Sequence, residues 1–201
     1  MSYENFSIED IEKYFAINIQ SEPNLFASIK SIAPSERLIS LLEEFTPLAS
    51  AIGTEKARSE FIIAPILAEV KKLAGNQVSL FSGTRFDVDK DRGLNGFCDF
   101  MFSLSSNQWS LAAPVIAIVE AKNDNINSGF GQCMAEMIAA QIYNQQREKP
   151  LKTVYGCVTT GSIWRFLQLV DKTIYLDNRE YYLDQLAKIL GIFAADLSLQ
   201  N

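Results

Sequence analysis

Nine residues, Pro114 to Lys122 (PVIAIVEAK), constrain the fold of this chain more than any others. Val115, Ile116, Ala117, Ile118 and Val119 are apolar without alternation. A strand built from them needs cover on both faces, which places it inside a sheet with helices on either side. The run then ends in Glu120 and Lys122. Side chains two apart on a strand point the same way, roughly 6.5 Å apart along the chain. A carboxylate and an ammonium therefore leave one face of a strand otherwise built for the interior.

The flanking segments supply the rest of the sheet. Gln77 to Val88 reads as a strand with a bulge at Gly83. Phe97 to Leu104 reads as another, with Cys98, Phe100, Phe102 and Leu104 on one face and Asp99 on the other. Between them, Asp87 to Gly93 spaces its aspartates like a calcium loop. Arg92 stands where an EF-hand needs Gly, and Cys98 where it needs Glu, so the segment reads as a solvated turn. A polar loop, Asn123 to Gly129, leads into a helix from Gly131 to about Arg147. Val154 to Thr159, Trp164 to Val170 and a short Thr173 to Leu176 follow as strands, and Arg179 to Phe193 as a closing helix. Trp109 and Trp164 read as packing residues.

Upstream, Thr54 to Leu73 is an apolar helix carrying Glu60, with Pro65 either kinking it or marking its true start. Ser7 caps a helix over Ile8 to Ala16. A second helix, Ser35 to Leu48, sets Leu38, Leu41, Leu42 and Phe45 on one face. This order gives a mixed α/β fold with one central sheet flanked by helices. Residues 1–52 are expected as an N-terminal helical extension and 53–201 as the α/β domain. The early strands should form an antiparallel meander, and the helix after the third should cross to a parallel neighbour.

Composition removes several chemistries. The chain of 201 residues has no histidine, which excludes Ser–His and Cys–His nucleophiles and most zinc sites. Cys98, Cys133 and Cys157 are odd in number, far apart and set among apolar residues, so reduced buried thiols are expected. No apolar run approaches the roughly 18 residues that span a bilayer. The acidic start lacks the pattern of a signal peptide, so the expected location is cytoplasmic. A net charge of −6 argues against a broad basic surface for nucleic acid. A bound cation would reverse the sign of a local acidic cleft.

Carboxylates and lysine remain as the candidate chemistry. Asp99, in a strand between Phe97 and Phe100, is costly unless it is paired or binds metal. Where the register sets it beside Glu120, two carboxylates and Lys122 meet at one sheet face. Asp99, Glu120 and the backbone carbonyl of Ala121 would then offer three oxygen ligands to Mg²⁺, with Mn²⁺ as a substitute. Lys122 would orient a metal-activated water, help deprotonate it, or steady a phosphate. Glu60 would hold a second cation or an outer water. A Glu-x-Lys strand end also occurs as a solvated terminus with a weak ion pair, and spacing alone favours that reading; Asp99, set between Phe97 and Phe100, shifts the balance toward a site.

Gly96-Phe97-Cys98-Asp99, then Val119-Glu120-Ala121-Lys122, then a helix carrying Gln132, resembles the PD-(D/E)XK nuclease superfamily. The resemblance covers roughly residues 55 to 170. It implies a restriction-endonuclease-like core and Mg²⁺-dependent hydrolysis of phosphodiester bonds, with DNA as the partner, in restriction, defence or DNA processing. It implies Asp99 and Glu120 as metal ligands, Lys122 as the catalytic lysine and Glu60 as an accessory acid. It implies that Gln132 helps hold the site or the nucleic acid. Glu136, one turn on, reads as structural or surface. The Pro of the family name is absent, with Cys98 in its place, and the cations near the motif are scattered. The rival expectation is a nuclease-fold protein without turnover, acting as a binding or assembly subunit with a partner or as a homodimer.

Overall fold

The computed structural model describes residues 1–198. A short 3₁₀ turn, Tyr3–Asn5, precedes helix α1, Ile8–Phe15. Ser7 and Asp10 close a reciprocal cap on α1. The Ser7 hydroxyl accepts from the Asp10 amide at 3.1 Å, and the Asp10 carboxylate accepts from the Ser7 amide at 3.0 Å. Strand β1 is Asn18–Glu22. Helix α2, Glu36–Ile52, is capped by Ser35 and ends at Gly53, whose φ of 71° suits glycine.

Helix α3, Glu55–Arg58, runs through a π turn, Ser59–Ile63, into α4, Ala64–Ala74. Pro65 falls in the first turn of α4. The backbone is helical on both sides, at Ile63 and at Ala64, so Pro65 neither starts a separate helix nor breaks this one; the wider π turn just before it accommodates the ring and the missing N–H. Strands β2, Ser79–Arg85, β3, Phe97–Ser103, and β4, Val115–Ala121, come next. Then follow α5, Phe130–Gln146, β5, Thr153–Thr159, β6, Ile163–Val170, and β7, Thr173–Asp177. A two-residue strand β8, Tyr181–Tyr182, and α6, Leu186–Ser198, close the chain.

Among the described residues, eight strands form one mixed sheet in the order β1-β7-β6-β5-β4-β3-β2, with β8 on β6. β2–β3–β4 is the antiparallel meander, and α5 is the crossover from β4 to its parallel neighbour β5. One apolar layer lies between the sheet and α2, α4 and α6. A second lies between the sheet and α1 and α5. Twelve of the seventeen residues of α5 are buried, because the sheet covers one side and residues 3–15 cover the other. The N-terminal backbone lies directly on α5. A β-carbon at Gly131 would sit 2.0 Å from the Phe6 carbonyl oxygen, so only glycine fits there.

Four expectations need correction. Residues 1–52 are not helical throughout. Asn18–Glu22 pairs in parallel with β7, from Asn18 opposite Thr173 to Glu22 opposite Asp177, and so joins the sheet. Parallel pairing over 150 residues leaves no turn signal nearby. The closing helix starts at Leu186, not Arg179. Tyr181 is instead drawn into the sheet opposite Trp164, and its hydroxyl donates to Asp177 at 2.9 Å. Tertiary packing overrides local helix preference there. Cys98 does not share a face with Phe100 and Phe102. It packs on the α5 side and they pack on the other. The β2–β3 pairing is interrupted at Gly83, which has φ 59°, but the register runs unchanged from Ser82–Phe100 to Thr84–Cys98, so the bulge expected at Gly83 is absent; the register shift lies between β3 and β4, at Phe102/Ser103.

Trp164 is fully buried as expected, whereas Trp109 is 98% exposed. All three cysteines are free and buried. Among the described residues, no helix is long and apolar enough to cross a membrane.

Candidate active site

The register of β3 on β4 pairs Phe100 with Val119. The next step along that register sets Asp99 opposite Glu120. The backbone pairing stops short there, and the Asp99 carboxylate takes over, accepting from the Ala121 amide at 2.8 Å. Asp99 is thereby fixed by β4 itself. Beyond it, the Lys122 amide donates to the Thr159 carbonyl at 2.8 Å, so β5 holds the other side of β4.

The Lys122 ammonium lies 2.6 Å from Glu120 Oε1 and 3.1 Å from Gln132 Oε1. Gln132, in turn, donates its side-chain N–H to Glu136 Oε1 at 3.1 Å. These contacts link Glu120, Lys122, Gln132 and Glu136 into one line of polar groups running from β4 into α5. The lysine stem is packed from behind by Gly129, where a β-carbon would meet Val158 at 2.6 Å and the Lys122 stem at 3.1 Å. A side chain at 129 would collide with Val158 and press on the lysine stem.

Asp99, Glu120, Lys122 and Gln132 line a single cavity of about 440 Å³, together with Glu4, Glu55, Phe97 and Ser128. Four of the six residues expected at the site thus converge. Glu60 lies in an adjoining pocket with Asp99 and Ala121 and forms a 2.8 Å ion pair with Lys56. Glu55 borders both pockets. The sequence carries no signal for it, because it lies five residues before Glu60 with no apolar run beside it. The π turn that rotates the two relative to each other cannot be read from spacing. Turns of this kind occur often at functional sites. Glu136 is not a surface residue but fully buried. Its only sequence signal is a carboxylate within the short apolar run from Cys133 to Ala140.

Burial is the main force on the ionisation of this cluster. It raises Asp99, with the Ala121 amide and Lys122 pulling the other way. It raises Glu120 well above the ordinary range, helped by the charges of Glu136 and Asp99 and opposed by Lys122. It pushes Glu136 up to about 8. Burial also works to lower Lys122, but the adjacent Glu120 outweighs it and the ammonium is held more firmly. Among the described residues, Glu120 Oε2 and Glu136 Oε2 are buried without a hydrogen-bond partner. Three acids crowd around one lysine, and the deficit is positive charge.

That deficit fits a hard divalent cation. The available donors are oxygens, Glu120 Oε2 is unpaired, and Asp99 has a second oxygen besides the one held by Ala121. Among the described residues, no group of three or more His, Cys, Asp and Glu side chains gathers as a metal cluster. Two carboxylates with a backbone carbonyl and waters is the arrangement such a site would use. The molecule is an α/β protein with an acid–lysine cluster at the carboxyl end of a central strand. No protein-family model matches the chain, and no curated protein matches it.

Proposed function

We propose that this chain is a divalent-cation-dependent endonuclease of the PD-(D/E)XK type, hydrolysing phosphodiester bonds of DNA in restriction, defence or DNA processing. The observation that carries the reading is the Glu120–Lys122 pair at 2.6 Å, beside Asp99 in one cavity, with Glu120 Oε2 unpaired. The order helix, antiparallel meander, helix and parallel strand from α3 to β5 supports a restriction-endonuclease-like core.

Asp99, Glu120 and the Ala121 carbonyl would hold Mg²⁺ or Mn²⁺. Such a cation lowers the pKa of a bound water and offsets charge on the phosphoryl oxygens. Lys122 donates hydrogen bonds toward the attacking water or a phosphate oxygen. Gln132 and Glu120 hold that ammonium at the cavity wall, and Glu136 holds Gln132. Glu55 and Glu60 flank Asp99 on the helical side, where outer waters or a second cation would sit. The net charge of −6 makes the cation a precondition for admitting a polyanion.

Supercoiled DNA incubated with Mg²⁺ or Mn²⁺ provides the assay. Nicking is expected from the native chain and should vanish in Lys122→Ala and Glu120→Gln, with both variants still folded by circular dichroism. Calorimetry with Mn²⁺ should show binding that Glu120→Gln removes. A chain that leaves every DNA and RNA form intact and takes up neither cation is not a nuclease. It would then fit the assembly-subunit reading.

A further inference from the structure

The cavity that holds the acid–lysine cluster poses a recognition problem. Its charged lining is Glu4, Glu55, Asp99 and Glu120 against Lys122 alone, so phosphate attraction does little to hold a nucleic acid there. One lining residue suits a different kind of contact. Phe97 is two residues before Asp99 on β3 and is 57% exposed, although the strand around it is largely buried. A single exposed apolar side chain is ordinary on a protein surface; Phe97 differs in lining the cavity that holds Asp99, Glu120 and Lys122.

The ring is held in place from one side. Arg85 is its cross-strand neighbour on β2, and the guanidinium lies 5.8 Å from the ring centroid. Arg85 is itself tied to Asp87 by a 3.0 Å ion pair, and Asp87 accepts from the Gly96 amide at 3.2 Å. The Arg85 side chain remains 61% exposed. Moving outward from the Glu120–Lys122 pair on β4, the surface therefore offers Phe97 on β3 and then a cation on β2. Adjacent strands are about 4.8 Å apart, so the three contacts cover roughly 10 Å.

We infer that Phe97 and Arg85 form a base-stacking platform beside the site, selecting nucleic acid with an unpaired nucleotide over intact duplex. The free part of the Phe97 ring stacks on one base, and Arg85 meets the adjoining phosphate. A base stacked inside a duplex has no free face to offer, so the substrate class is single-stranded DNA, flaps or frayed ends. Stacking is tolerant of sequence, because every base has a π-face. This inference rests on the nuclease reading for its substrate class, and its test reads binding rather than cleavage.

The test is fluorescence anisotropy of the full chain with labelled single-stranded and blunt duplex oligonucleotides of the same sequence, in Ca²⁺ to suppress turnover. The single strand is expected to bind at least about 10-fold more tightly than the duplex. Phe97→Ala should weaken the single strand by about 10-fold and leave the duplex unchanged. Phe97→Trp should restore it. Arg85→Ala should lower the salt dependence of binding by about one phosphate contact. Phe97 and Arg85 are exposed, so these variants retain the fold. Equal binding of Phe97→Ala and the native chain to single strands, or a preference for duplex, overturns the platform while leaving the nicking assay intact. Loss of nicking in Lys122→Ala with unchanged binding by Phe97→Ala would sustain the nuclease and reject the platform.

Discussion

Replacing Glu136 by glutamine should make the protein more stable, by an amount that grows with pH. Glu136 is fully buried, and burial lifts its carboxyl from the ordinary 4.5 to about 8. Between those values the native state keeps the proton and the unfolded chain releases it. The stability associated with the protonated form is complete below about 4.5 and is lost as pH rises to about 8. At about 1.36 kcal/mol per pH unit, that loss amounts to about 5 kcal/mol. Set against the roughly 5–15 kcal/mol that holds a typical domain together, the effect is large. Glutamine preserves the oxygen that accepts from Gln132 and carries no charge. Above about pH 8, where the native Glu136 would ionise, glutamine also spares Glu120 that neighbouring charge, which acts in the same direction. Urea unfolding at one-unit steps from pH 5 to pH 9, in EDTA, gives the comparison. The two proteins should differ by a constant offset near pH 5, and the gap should widen by about 3–5 kcal/mol by pH 9 in favour of Glu136→Gln. Any mispairing of the new amide adds a pH-independent term, so the slope is the observable. Parallel stability curves across this range would refute the assignment of a protonated acid beneath the site.

Gly129→Ala should move the Lys122 stem and abolish nicking, with overpacking costing about 1–3 kcal/mol in thermal unfolding; full activity would sink the packing argument. Asn144 donates to the Val115 carbonyl and accepts from the Val115 amide, each at 2.7 Å, in a fully buried position. Asn144→Leu strands both backbone groups and should cost about 2–5 kcal/mol, checked by urea midpoints. Lys188 donates to the carbonyls of Phe26, Ala27 and Ile29 at 2.7, 3.2 and 2.5 Å. Lys188→Met should cost about 1.5–3 kcal/mol and speed proteolysis within residues 23–30, and unchanged cleavage there would count against the clasp.

Much of the sheet was legible because its strands announce themselves locally. The apolar run of β4 requires two covered faces, and it lies inside the sheet with apolar layers on both sides. The Glu120–Lys122 spacing anticipates their shared side, and the β3–β4 register brings Asp99 alongside. What stayed hidden depends on distant pairing or on helix phase. β1 finds β7 across the chain, Glu55 reaches the cavity through a π turn, and Glu136 looks like any polar residue on a helix until residues 3–15 bury that helix from outside. Phe97 reads as one more apolar strand residue, and only its exposure separates it from Phe100 and Phe102.

The N-terminal segment touches both ends of the sheet. Tyr3 donates to the Phe86 carbonyl near β2, and β1 completes the opposite edge beside β7. Residues 18–22 must therefore wait for residues 173–177 before the sheet can be finished. Contacts of such long range slow folding, because the chain entropy is lost before the contact is gained. Until β7 arrives, β1 has no strand to pair with. The edge that is finished last keeps its backbone groups open longest, and unpaired strand edges are where folding chains associate.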